Sequence, residues 1–117
     1  MNDRAKLLEA LLSCRTPPDE LLHRLATYPW DSEVLVHARP EHLLSVLRRF
    51  QDGQIGAAEV EEWANAIEMR DDIGFETESE EVVRDIVHVL ANPELAGPLA
   101  PAVAEDLIER LARFFPR

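Results

Sequence analysis

Glu20-x-x-His23 and Asp85-x-x-His88 repeat a carboxylate–imidazole pair at i, i+3 spacing, which on a helix puts both side chains on one face. Two such pairs facing across a bundle, with a glutamate from each of two further helices, would make a carboxylate-bridged di-metal site and a metal enzyme. The pattern is incomplete here. The second pair uses Asp, His88 stands between Val87 and Val89, and Glu59 and Glu62 face away from the apolar side of their helix. A surface histidine and a helix-packed one account for the same residues. "QDGQIGAAEVEEW" imitates the second half of a calcium loop, with Gly53, Ile55 and Glu59 at loop positions 6, 8 and 12. Positions 1 and 3 then fall on Arg48 and Phe50, which offer no oxygen, so a helix–helix turn with Ile55 plugged into the core is the expectation. Cys14 has no internal disulfide partner, and no spacing ties it to His23, His37, His42 or His88 as a nucleophile. No phosphate-binding glycine loop is present. The residues therefore imply no catalytic group, no cofactor and no metal, and the chain is read as a non-enzyme.

Charge is the stronger signal. The 117 residues carry a formal net charge of −11. Residues 1–58 hold 8 acids and 7 bases, and residues 86–117 hold 4 and 3, so both are near neutral. Residues 59–85 hold 11 and 2, a net −9. A field of that sign repels nucleic acid and anionic membrane and attracts a basic protein. The N-terminal stretch is broken by Lys6 and Glu9 and has no apolar signal-peptide core, and nothing approaches the ~18 apolar residues of a membrane span. A cytoplasmic protein is expected.

The elements that must position these groups are helices. Apolar residues recur at helical spacing nearly throughout, and hydrophobic residues make up 46% of the chain, enough for one core in one domain, residues 1–117. A first helix is expected over 3–13, with Leu7, Leu8, Leu11 and Leu12. A second opens at Thr16 and Pro17 and ends near Tyr28, before Pro29. "EVLV" at 33–36 could be extended, but no partner strand is evident. A third helix starts at Pro40, and a fourth covers about 57–70 with Val60, Trp63, Ala64 and Ile67 inward. "TESE" at 77–80 reads as a capping box, Thr77 with Glu80, opening a fifth helix of Val82, Val83, Ile86, Val87 and Leu90. A sixth follows Pro101. The fold class is all-α: a single compact bundle of five or six short helices.

Two loops hold apolar residues that such a bundle does not need on its surface. "YPWD" at 28–31 places Trp30 as a lid over the core or, alternatively, as an anchor for self-association or a non-toxin partner of a structural or adaptor protein. "EWANAIEMRDDIGFE" at 62–76 ends in a turn where Gly74 would be left-handed and Ile73 and Phe75 fold back or face out, while Asp71 and Asp72 stay wet. Acids around one or two apolar anchors suit a basic partner, with charge setting the encounter rate and packed anchors the lifetime.

Residues 40–76, "PEHLLSVLRRFQDGQIGAAEVEEWANAIEMRDDIGFE", resemble a segment of small acidic helical bacterial proteins in which a helix, a "DG-I" turn, an "EEWA" helix and a "DIGFE"-like turn follow in order. The segment is also similar to the colicin-D-type immunity proteins, small acidic helical inhibitors of tRNA-cleaving toxins. That resemblance implies an acidic binding protein, and no toxin-contacting position maps onto this chain.

The sequence thus leads to an immunity- or antitoxin-like inhibitor that occludes a basic, nuclease-like partner. Glu61, Glu62, Asp71, Asp72, Glu76, Glu78 and Glu81 would stand in for phosphates, and Ile73 and Phe75, if not buried, would supply apolar contact. On this reading, charge reversal at Asp71 and Asp72 together weakens binding and spares the fold.

Overall fold

A computed structural model describes residues 3–13, 18–28 and 33–115. Cys14, Arg15, Thr16, Pro17 and Trp30 lie outside the described residues. The element order is α1 (Asp3–Ser13), α2 (Pro18–Leu25), β1 (Val36–Ala38), α3 (Pro40–Gln51), α4 (Ala57–Glu68), β2 (Ile73–Phe75), α5 (Glu80–Ala91), α6 (Pro93–Ala96) and α7 (Pro101–Ala112). The expected helices are all there, with α6 a single added turn inside the connector before α7. α4 packs chiefly on α5, α3 on α7, and α1 on α2.

The interior follows from helical spacing. Leu8, Leu11 and Leu12 of α1, Leu43, Val46 and Leu47 of α3, Val60, Trp63 and Ile67 of α4, and Val83, Ile86 and Val87 of α5 are buried in one cluster. Trp63 is fully enclosed, and its indole N–H donates to the Leu11 carbonyl at 2.7 Å. That carbonyl is in the last turn of α1, where carbonyls have no partner inside the helix, so the tryptophan closes a helix end as well as filling volume.

Three local expectations need correction. First, "EVLV" does find a partner. Val36, His37 and Ala38 pair in parallel with Ile73, Gly74 and Phe75. Parallel strands need a long crossover, and α3 with α4 supplies it, so the partner lies far along the chain. Second, the segment read as a turn is therefore a strand, and Gly74 is not left-handed; the positive-φ glycines among the described residues are Gly53 and Gly97. Gly74 answers to proximity instead: a Cβ there would sit 2.9 Å from Cγ1 of the exposed Val34 side chain, which would have to shift. Third, the Thr77–Glu80 capping box does not form. The N-cap of α5 is Ser79, without a side-chain cap bond. The Glu80 carboxylate turns along the helix to Arg84 at 2.6 Å, an i, i+4 pair.

The turn between α3 and α4 is as expected. α3 runs through Arg48 and Phe50 to Gln51, Gly53 takes φ 77°, and Ile55 packs on the core. The would-be first and third calcium positions, Arg48 and Phe50, are helical residues.

Candidate functional site

The acidic segment divides into an inner and an outer set. Asp72 is inner. It is fully buried, and its carboxylate receives the Arg70 guanidinium through two bonds of 2.9 Å and the Arg4 guanidinium at 3.0 and 2.9 Å. Its carbonyl accepts the amides of Leu35 (2.9 Å) and Val36 (3.3 Å) where the chain enters β1. One residue thus ties α1, the end of α4 and the strand pair together. Burial alone would push the Asp72 carboxyl up, but hydrogen bonds and charge from Arg70 and Arg4 outweigh it and hold the group below the usual carboxylate range. Arg4 also lies over the Tyr28 ring, 5.5 Å from its centroid. Ile73 is 4% exposed. Asp72 and Ile73 therefore cannot contact a partner, contrary to the expectation, and reversing charge at Asp72 attacks the fold.

The remaining acids sort by whether they are engaged inside the molecule. Glu59 accepts the Gly56 amide at the start of α4 (3.1 Å), Glu68 pairs with His88 (2.8 Å), Glu80 with Arg84 and Asp85 with Arg110 (2.7 Å). Glu61, Glu62, Asp71, Glu76, Glu78 and Glu81 make no ion pair among the described residues. Glu61 is half-buried and the other five are exposed. These six are the expected binding acids with Asp72 removed.

They occupy more than one face. Glu76 and Glu78 stand with Glu9 and His37 along the sheet. Glu78 and Glu81 also line a groove with Phe75, Val82 and Phe114, between α5 and α7. Phe75 is half-buried, and the Arg84 guanidinium sits 4.7 Å from its ring centroid, so one face of the anchor is already covered. Glu61 and Glu62 instead line a groove of about 580 Å³ between α2 and α4, whose apolar lining is Leu22, Ala26, Ala58, Ala66 and Met69. Met69 is 56% exposed. This groove was missed in sequence. Ala58, Glu62, Ala66 and Met69 do recur at near-helical spacing on one side of α4, but the wall from α2 depends on tertiary packing.

The carboxylate–histidine pairs do not converge. Glu20 lies 3.6 Å from Arg24, Asp85 pairs with Arg110, and His88 hydrogen-bonds Glu68 while its carbonyl accepts from Asn92 at 2.8 Å. Among the described residues no three potential ligands gather. His42 serves the fold, because its Nδ1 accepts the Arg39 amide at 3.0 Å at the start of α3. Burial, then the charge of Arg39, lowers its pKa against the pull of Glu9, Glu41 and Glu76. No described helix is long and apolar enough to cross a membrane.

No family model, no curated protein and no solved structure matches this chain.

Proposed function

We propose that the protein is an acidic binding module that occludes a basic protein partner, in the manner of an immunity or antitoxin-like inhibitor. The observation that carries this reading is the sorting of the acids. Within 59–85, five carboxylates are engaged in caps, ion pairs or the Asp72 clamp, and six remain on or near the surface with no ion pair among the described residues. Like charge held in no ion pair costs a free fold some stability, and a cationic partner relieves that cost. Such a surface accelerates association with a basic partner and covers a cleft built for phosphates. Its carboxylates need no catalytic geometry to do so.

The test is affinity purification of the tagged protein from its native host, eluted with salt from about 0.1 to 1 M. The expected result is a basic protein released by salt and absent when Glu61→Lys, Glu62→Lys and Glu78→Lys are combined. A partner that is indifferent to salt and to these changes, or no partner at all, sinks the reading.

A further inference from the structure

We propose that the groove between α2 and α4 seats an amphipathic cationic helix of the partner. This rests on the acidic-binder reading and names its docking surface. The floor is apolar where small residues of α4 meet α2: the exposed Ala58 and the buried Ala66 leave room, and Leu22 of α2 with Ala26 just beyond it forms the wall. Met69 closes one end, more than half exposed although it is large and apolar. At the other end Ala58 and Glu61 also line a second apolar hollow, with Leu99 and Val103. From Ala58 to Met69 the trough is about 16 Å long, roughly three helical turns.

The occupant follows from backbone and charge. Both walls are helices with the turn that follows each, and no strand edge lines the groove. An extended peptide would find nothing to pair with. A helix satisfies its own backbone and offers apolar residues at i, i+3 or i+4, and i+7 to such a floor. Glu61 and Glu62 on the groove ask for lysine or arginine flanking those anchors. Arg70, the cation lining it, is 7% exposed and held by Asp72. A second copy is the wrong occupant: a two-fold contact through this groove would set Glu61 and Glu62 against their own copies.

The test uses two synthetic peptides of about 16 residues with the same leucine and lysine content, one patterned for a single helical apolar face, the other permuted to have none. Each is titrated into the isotope-labelled full chain at about 0.1 M salt and followed by amide shifts. The patterned peptide should bind about tenfold or more tightly than the permuted one and shift Ala58, Asn65 and Met69. Ala58→Arg, which fills and charges the floor, should remove that preference, and Met69→Ala should weaken it about threefold or more, both at an unchanged melting temperature. Equal binding of both peptides, or shifts confined to Glu76–Glu81, overturns the groove but leaves the acidic binder standing. Failure of both peptides together with no salt-released partner removes the two readings at once. A dimer abolished by Ala58→Arg hands the groove to a second copy and overturns the proposal.

Discussion

Asp72 holds two guanidiniums within 3.0 Å at zero exposure, whereas Glu61 and Glu62, on the preceding helix, meet no cation among the described residues. Both belong to the same run of acid. The difference teaches that local charge density does not say what a carboxylate is for. An acid between a helix end and the start of a strand can be clamped, because a guanidinium two residues before it and another from the distant α1 both reach it. An acid on the outer side of a mid-helix turn meets mostly small and apolar neighbours, and the one arginine on the same groove is already held by Asp72. The clamp commits its charge to the fold, and the groove keeps charge for something else.

The largest test of that contrast is Asp72→Asn. It leaves the Arg70 side chain, 6% exposed, without its carboxylate and weakens the hold on Arg4. Removing one partner of a buried ion pair costs about 3–5 kcal/mol. Denaturant unfolding should show a loss of that order, and a variant as stable as the parent would break the comparison. The pH dependence has a definite sign. The folded pKa of Asp72 is depressed, so its stabilisation is present above the unfolded value, 3.8, and is lost as pH falls through the lower folded value. Asp72→Asn should flatten the acid limb below about pH 4.

Trp63→Phe comes next. It keeps most of the buried ring and deletes the donor to Leu11, stranding a carbonyl at the end of α1. The expected loss is about 1–3 kcal/mol by thermal or denaturant unfolding. A neutral result would mean that the α1 terminus finds another donor, and the inner side of α4 would then be held by packing alone.

Much of this division was open to sequence reasoning, and what was closed was closed for a physical reason. The helices are legible because their apolar residues return every three or four positions, so Val60, Trp63, Ala64 and Ile67 declare an inner side of α4 and leave Glu61 and Glu62 outside it. The strand pair is illegible because each strand has three residues and its mate lies two helices away. Asp72 looks wet for the same reason: Arg4, which completes its clamp, is 68 positions distant. Ile73 and Phe75 draw attention as apolar residues among acids, yet Ile73 belongs to the core edge and Phe75 to a cation–ring contact. The groove escapes because Leu22 and Met69 become neighbours only when α2 packs on α4.

A smaller effect sharpens the inner side again. His42 titrates in the opposite sense from a paired histidine: its folded pKa lies below 6.5, so the unfolded chain takes up the proton first and stability declines as pH drops beneath about 6.5. Glutamine at position 42 can still accept the Arg39 amide, as glutamine does at the third position of capped helices. His42→Gln should therefore fold normally at pH 7 and remove the slope between pH 6.5 and the folded value, read from melting temperatures across that range.

The smallest effect on the fold is the one that separates the two aspartates. Asp71 is exposed and makes no ion pair among the described residues, while Asp72 beside it is clamped. Asp71→Lys should change stability by no more than about 0.5 kcal/mol, because a solvated surface charge contributes little. If the outer acids steer a basic partner, the same change should lower its association rate about two- to fivefold at low salt, an effect that fades as salt is raised. The dissociation rate should hardly move, because Asp71 lies outside the α2–α4 groove. A stability loss as large as that of Asp72→Asn would mean that Asp71 also supports the clamp. An unchanged association rate would confine the outer set to Glu61, Glu62 and the acids beyond β2.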